Sequence, residues 1–194
     1  MDAMNLLKTY LCEVAEQVQK TDSEGLLKIA ELIFALKDTD KTIYTAGNGG
    51  SAATASHICN DLLKGCGVCG NPGFKTECLC DSNAVLTCLG NDFDYESIFS
   101  IQLRAKAKAG DLLLVYSGSG NSQNIIKLVT LAKEMGVTVV GFTGRDGGKL
   151  APLCDVAIIA PTHSMEQIED LHMIYVHTLS TVLQGMLKEK YANA

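Results

Sequence analysis

Two glycine- and serine-rich segments have the composition of ligand-binding loops. Residues 45–51 read Thr-Ala-Gly-Asn-Gly-Gly-Ser, and residues 116–122 read Tyr-Ser-Gly-Ser-Gly-Asn-Ser. Each follows an apolar run typical of a buried strand and precedes a run with helical spacing. Glycine allows the backbone to turn tightly and to approach a ligand closely, and the first segment has three: Gly47, Gly49 and Gly50.

Both segments therefore lie where an anion could bind. A helix N-terminus leaves N–H groups unpaired and carries the positive end of the helix dipole. Five hydroxyl or amide side chains accompany these termini: Asn48, Ser51, Ser117, Ser119 and Ser122. The fingerprints G-x-x-x-x-G-K-[ST] and G-x-G-x-x-G are absent, which argues against a nucleotide. Turn chemistry alone could explain one loop, but two loops placed alike favour a phosphate ligand.

Histidine and carboxylate residues occur at helical spacing in two places. His57 and Asp61 are four residues apart on the helix that the first loop begins, and Glu169 and His177 fall on one side of the last helix. These nitrogen and oxygen atoms could converge on one metal ion. Surface interactions are the alternative, and spacing alone favours that alternative.

Eight cysteines raise the question of disulfides or a second metal site. Cys66-Gly-Val-Cys69 followed by Cys78-Leu-Cys80 resembles the start of a zinc ribbon. However, the second pair is separated by one residue, and its strand would turn the two side chains to opposite faces. We therefore predict that most of the cysteines are reduced, buried thiols.

Composition limits the classes of partner. The chain has 194 residues, of which 47% are hydrophobic and 20% charged, and this is typical of globular proteins. A net charge of −6 argues against nucleic-acid binding. No apolar run approaches the roughly 20 residues that span a bilayer, and the acidic N-terminus is unlike a signal peptide. We expect a cytoplasmic protein with no membrane partner.

The pattern of elements predicts one domain over residues 1–194. Residues 1–38 form a helical hairpin, and residues 41–188 form an α/β core. The predicted strands are 42–46, 76–80, 111–115, 137–142 and 155–159, and the predicted helices are 4–20, 23–37, 51–64, 82–90, 94–108, 122–135 and 163–188. This alternation predicts a three-layer αβα, flavodoxin-like parallel sheet with its sites at the carboxyl ends of the strands. The loop 65–73 is either a lid or an exposed turn.

Five motifs, in order over nearly the whole chain, together resemble the sugar isomerase (SIS) superfamily. They are residues 45–57, Gly90-Asn-Asp92, Ser117-Gly-Ser-Gly-Asn-Ser122, residues 142–148 and residues 167–177. Within the superfamily they most resemble the members that interconvert sedoheptulose 7-phosphate and a glycero-manno-heptose 7-phosphate. The resemblance implies the SIS fold, aldose–ketose isomerisation of a sugar phosphate through an enediol, one divalent metal ion per subunit, with zinc favoured, and a homotetramer. The apolar stripes of helices 4–20 and 163–188 are candidate interfaces, unless they are covered within one subunit.

The resemblance also implies roles for individual residues. The implied substrate-binding residues are Asn48, Gly49, Ser51, Asp92, Ser117, Gly118, Ser119, Ser122 and Glu169. The implied metal ligands are His57, Asp61, Glu169 and His177, and Asp61 with His177 is the implied acid/base pair.

Three positions depart from the superfamily pattern. Asp61 replaces a usual Glu, Glu169 replaces a usual Gln, and Gly118 replaces a hydroxyl residue. The shorter Asp61 withdraws its carboxylate, which makes proton transfer harder, whereas the added charge of Glu169 favours a cation. The alternative function is a non-catalytic SIS-fold regulator that binds a phosphosugar or a protein.

Overall fold

A computed structural model of the chain describes residues 2–192 and contains a five-stranded parallel sheet. The strand order is β2-β1-β3-β4-β5. The strands are β1 Ile43–Gly47, β2 Thr76–Cys78, β3 Leu112–Ser117, β4 Thr138–Gly144 and β5 Val156–Ala160. Every residue of β1 and β3 is buried because helices cover both faces of the sheet. The predicted flavodoxin-like architecture is confirmed.

The helices divide between the two faces of the sheet. They are α1 Ala3–Gln19, α2 Ser23–Ala35, α3 Gly50–Asn60, α4 Asn83–Asp92, α5 Ser100–Lys106, α6 Gln123–Glu134 and α7 Met165–Ala192. Apolar residues of α2, α3 and α7 pack together against one face, and those of α4, α5 and α6 pack against the other. None of the described helices is long and apolar enough to cross a membrane.

The N-terminal region is helical as predicted, but its two helices differ in burial. Asp22 caps α2 by accepting a hydrogen bond from the Gly25 N–H at 2.9 Å. Helix α2 buries an apolar face, whereas α1 contains no buried residue. Polar contacts hold α1 on α7: the Tyr10 hydroxyl donates to Asp170 at 2.5 Å, and this bond raises the pKa of Tyr10 to about 12.

The predicted helix 51–64 differs in its last turn, since residues Asp61–Gly65 form a π turn. A contact from outside the helix accounts for this change. The Phe74 N–H donates to the Leu62 carbonyl at 3.0 Å, so the Cys66 N–H bonds instead to the Asp61 carbonyl at 2.9 Å. Asp61 therefore lies where the helix widens, a feature that is frequent at functional sites.

The predicted helix 94–108 is broken. Residues Tyr95–Ser97 form a 3-10 turn, and α5 begins only at Ser100. The Ser97 hydroxyl donates to the Asp94 carboxylate at 2.6 Å and accepts from the Lys127 ammonium at 2.7 Å. The bond between Ser97 and Asp94 is local, and local side-chain bonds of this kind compete with helical pairing.

The loop after the π turn precedes β2, so it lies at the amino ends of the strands. Both glycine- and serine-rich loops follow strands and lie at the opposite edge of the sheet. The Lys37 ammonium donates to the Gly73 carbonyl at 3.5 Å, and the neighbouring Phe74 is buried. The sheet topology therefore favours an anchored turn over a lid for this loop.

Candidate active site

The second glycine- and serine-rich loop borders a small cavity at the carboxyl end of β3. The cavity has a volume of about 130 Å³ and is lined by Asn48, Ser51, Tyr116, Ser117, Gly118, Ser119, Ser122, Met165 and Glu169. Seven of these nine residues are among the predicted substrate-binding residues, and only Tyr116 and Met165 are not. The two loops therefore meet as the sequence predicts, because parallel strands end at the same edge of the sheet.

The serines of this loop have free hydrogen-bonding capacity. Ser117 is 5% exposed, and its buried hydroxyl has no hydrogen-bond partner in the part of the chain that the structure describes. Ser122 occupies the N-cap position of α6 but makes no side-chain capping bond. The Ser119 hydroxyl accepts only a local bond from the Asn121 N–H, at 3.2 Å. Hydroxyl groups with unused capacity at a helix N-terminus suit an anion.

The first loop is held by an amide network. Asn48 and Asn124 exchange hydrogen bonds of 2.9 and 2.8 Å, and the Tyr95 hydroxyl donates to Asn48 at 3.0 Å. The N-cap of α3 is Gly49, which has a φ of 57° and leaves open space around its Cα. The helix therefore begins at Gly50, one residue before the predicted start, and Ser51 is not its cap. Ser51 lies buried in the first turn, where it lines the cavity.

Met165 fills the space beside Gly118. A Cβ atom added to Gly118 would lie 2.5 Å from the Met165 sulfur atom, which is far inside van der Waals contact. The hydroxyl residue that is usual at this position therefore cannot fit unless Met165 moves. In this chain the thioether of Met165 occupies the space that a side chain at residue 118 would fill, and the cavity wall is apolar there.

A histidine–carboxylate group lies between α3 and α7. The His57 and His177 Nε2 atoms are 3.1 Å apart, and the His57 Nε2 atom is 3.6 Å from the Asp61 Oδ2 atom. One ligand atom from each of these residues lies within 4.8 Å of the others. The His57 side chain is 41% exposed, so the group is open to solvent.

This donor set fits a divalent ion. Two imidazole nitrogens bound to one tetrahedral zinc ion lie about 3.3 Å apart, close to the separation of His57 and His177. Imidazole and carboxylate ligands are typical of zinc, and three protein ligands leave a fourth position for water or substrate. One nitrogen cannot hold an ion and a proton at once, so the metal and acid/base roles implied for His177 Nε2 are exclusive at any moment.

Glu169 and Asp92 lie apart from the histidine–carboxylate group. The Glu169 carboxylate packs over Gly50, where an added Cβ atom would lie 2.5 Å from it, and Glu169 lines the cavity. Asp92 is exposed at the end of α4 and accepts hydrogen bonds from Cys88 and Asn91. The structure therefore brings together three of the four implied metal ligands and does not bring Asp92 to the cavity.

Helices α3 and α7 run side by side in the same direction. Near the starts of the two helices Gly50 contacts Glu169, and further along His57 meets His177. Beyond the histidines, a Cβ atom added to Gly65 would lie 3.6 Å from the Ser180 hydroxyl. The histidines follow Gly50 and Glu169 by seven and eight residues, so they lie about 10 Å further along the helices. The cavity therefore lies beside the starts of the two helices, and the histidine–carboxylate group lies about two turns further along them.

The cysteines do not assemble a metal site among residues 2–192, where His57, Asp61 and His177 are the one group with metal-ligand spacing. All eight cysteines are free thiols, but Cys12, Cys69 and Cys88 are exposed, so the predicted burial holds only in part. Burial raises the pKa of the Cys66 thiol to about 11.

Sequence reasoning did not single out one buried histidine. The His172 side chain is fully buried, and its Nε2 atom is 3.0 Å from the Thr143 carbonyl oxygen, to which it donates. Burial lowers the pKa of His172 to about 4, so the ring is neutral near pH 7. The Nδ1 atom is then an acceptor, and none of the described residues donates to it. This histidine is part of the core beneath the cavity.

The comparisons with known proteins agree with this geometry. Residues 8–144 match the SIS domain family. A phosphoheptose isomerase of Sulfurimonas denitrificans is 36% identical over 88% of this chain and 93% of its own length. The structure of phosphoheptose isomerase GmhA from Neisseria gonorrhoeae is 30% identical, with a TM-score of 0.88 over 95% of this chain and all of that one. A phosphoheptose isomerase from Francisella tularensis, 24% identical with a TM-score of 0.90, supports the fold alone. The chain belongs to the SIS domain family and, within it, to the phosphoheptose isomerases.

Proposed function

We propose that the chain interconverts sedoheptulose 7-phosphate and D-glycero-D-manno-heptose 7-phosphate. The likeness to phosphoheptose isomerases carries the choice of substrate, and an estimate of length agrees with it. The phosphate cavity and the histidine–carboxylate group are about 10 Å apart along α3 and α7. An extended seven-carbon sugar phosphate is on the order of 10 Å long, given bonds of about 1.5 Å. Its phosphate can therefore bind at Ser117, Ser119 and Ser122 while its C1–C2 end reaches His57.

The reaction moves a proton between C1 and C2 and moves the carbonyl group in the opposite sense. Asp61 and His177 are the proposed acid/base pair, since a carboxylate and an imidazole can remove the carbon-bound proton and return one on the neighbouring carbon. A second proton moves between O1 and O2. The cavity anchors the phosphate, so that binding energy from the far end of the sugar orients C1 and C2.

We further propose a divalent ion, zinc by its donor set, that His57 and Asp61 would hold throughout and that His177 would hold only when it is not transferring a proton. When bound, such an ion stabilises the negative charge that develops on the carbonyl oxygen. Glu169 is proposed as a contact to the sugar from the cavity side. Its carboxylate lies near the N-terminus of α3, where the helix dipole favours negative charge.

A homotetramer is the proposed assembly, and exposed leucines on α1 support self-association. Leu6, Leu7 and Leu11 on this helix are 52%, 55% and 60% exposed, which is unusual for three leucines on one helix. The predicted stripe on α7, by contrast, is covered within the chain by the sheet, α2 and α3. Light scattering should give four copies for the wild type and fewer for Leu7→Glu/Leu11→Glu, with Lys8→Glu as the control on the same helix.

A substrate panel tests the proposed activity. The wild-type protein should convert sedoheptulose 7-phosphate to an aldose phosphate, detected by chromatography, and should leave sedoheptulose without its phosphate group unchanged. Equal turnover of the two sugars would contradict the phosphate assignment. Tight binding of sedoheptulose 7-phosphate without turnover, by protein loaded with zinc, would favour the regulator instead.

A further inference from the structure

Tyr116 carries a hydroxyl group that packing does not explain. The side chain is completely buried, and its ring stacks on Phe142 with a centroid distance of 4.7 Å and an angle of 6°. A phenylalanine would make the same stacking contact. The Tyr116 hydroxyl oxygen is nevertheless buried without a hydrogen-bond partner among residues 2–192, which is unfavourable in the ligand-free protein.

The cavity that Tyr116 lines needs neutral donors. Its lining contains no lysine or arginine and includes one carboxylate, that of Glu169. An anion bound there is held by hydroxyl groups, backbone N–H groups and the N-terminus of α6. The negative charge of Glu169 repels the anion, so these donors must offset that repulsion. Burial raises the pKa of Tyr116, so the phenol keeps its proton and stays a donor.

We infer that the Tyr116 hydroxyl donates a hydrogen bond to the phosphate group bound beside Ser117, Ser119 and Ser122. This inference rests on the proposed function for the identity of the substrate. Tyr116 directly precedes the serine loop on β3, and it lines the cavity together with all three serines. A phosphate group bound there gives the unpaired Tyr116 hydroxyl a hydrogen-bond acceptor.

A buried water molecule is the competing explanation. The His172 Nδ1 atom also lacks a partner, and the His172 ring centroid is 5.8 Å from that of Tyr116. A water bridging the two side chains would satisfy both atoms without any ligand. The two explanations differ in what loss of the hydroxyl should change. The phosphate contact affects affinity, whereas the bridging water affects stability.

The test compares wild type, Tyr116→Phe and the control Tyr175→Phe. The Tyr175 hydroxyl is 3.2 Å from the Thr21 hydroxyl, and Tyr175 does not line the cavity. Calorimetric titration with sedoheptulose 7-phosphate should give a Kd about tenfold to a hundredfold weaker for Tyr116→Phe, as expected for a hydrogen bond to a charged group. Its KM should rise with kcat largely retained, and its thermal midpoint should not fall. Tyr175→Phe should bind like wild type.

Three outcomes would overturn the inference. If the Kd of Tyr116→Phe for sedoheptulose 7-phosphate is within twofold of that of an active wild type, the phosphate contact is excluded and the proposed function is unaffected. A lower thermal midpoint with unchanged affinity assigns the hydroxyl to the water beside His172. A wild-type protein that binds neither sedoheptulose 7-phosphate nor inorganic phosphate overturns the inference and the proposed function together.

Discussion

Substituting Gly118 with alanine tests whether Met165 shapes the phosphate cavity. The new methyl group would lie 2.5 Å from the Met165 sulfur and 3.4 Å from the Ile168 Cγ2 atom. Atoms in contact are about 3.5–4 Å apart, so the sulfur must move by about 1 Å or more. Overpacking lowers the free energy of unfolding by about 1–3 kcal/mol. Because the Met165 side chain is flexible and half-buried, we expect a loss of about 1 kcal/mol for this substitution. The thermal midpoint should fall by about 2–4 °C.

The displaced sulfur should also weaken phosphate binding, because Met165 borders a cavity of only about 130 Å³. Thermal unfolding and calorimetric titration of wild type, Gly118→Ala, Met165→Ala and the double variant give the coupling between the two sites. The double variant should lose less unfolding free energy, and less binding free energy, than the two single variants lose together. The difference should be about 0.5 kcal/mol or more. Gly185→Ala is the control, since an added Cβ atom there meets nothing within 4 Å. Strict additivity, or a Gly118→Ala protein that behaves like wild type, would refute the proposed packing.

Three further predictions concern the phosphate loop, the metal and the core. Ser119→Ala/Ser122→Ala should raise the Kd for sedoheptulose 7-phosphate at least tenfold in calorimetric titration and leave the fold intact by circular dichroism. Elemental analysis of protein made without an affinity tag should find a divalent metal that is lost in His57→Ala and kept in Cys66→Ser/Cys69→Ser; the reverse pattern would move the site to the cysteines. Because the pKa of His172 is lowered from 6.5 to about 4, the unfolded chain binds the extra proton between these values. The contribution of His172 to the free energy of unfolding is therefore complete above pH about 6.5 and falls by roughly 3 kcal/mol towards pH 4. Urea unfolding of His172→Gln should lack this pH-dependent change.

The sheet and both ligand loops could be predicted because their signals are local. Apolar runs of four to six residues, each followed by glycines and serines, define β1 and β3 together with the loops that follow them. The parallel arrangement then brings Asn48 and Ser51 to the same cavity as Ser117, Ser119 and Ser122. No knowledge of side-chain rotamers was needed for that prediction.

The features that could not be predicted depend on contacts between distant parts of the chain. The π turn at Asp61 exists because the Phe74 N–H takes the Leu62 carbonyl, which helical spacing cannot reveal. Tyr116 looks like a core residue of a buried strand, and only the unpaired state of its hydroxyl indicates a ligand. Glu169 is on the predicted helix, but its carboxylate packs over Gly50 and not beside His177.

The most direct test of the isomerase assignment follows the transferred proton. Wild-type protein, with its metal content measured, is incubated with sedoheptulose 7-phosphate in D₂O, and the product is examined by NMR. We predict an aldose 7-phosphate that carries deuterium at C2, and loss of both product and exchange in Asp61→Asn, which should still fold and bind the substrate. Asp61→Asn with unchanged turnover at normal metal content would remove Asp61 from the mechanism. A wild-type protein that binds the sugar phosphate but yields no product and no deuterium incorporation would contradict the central claim.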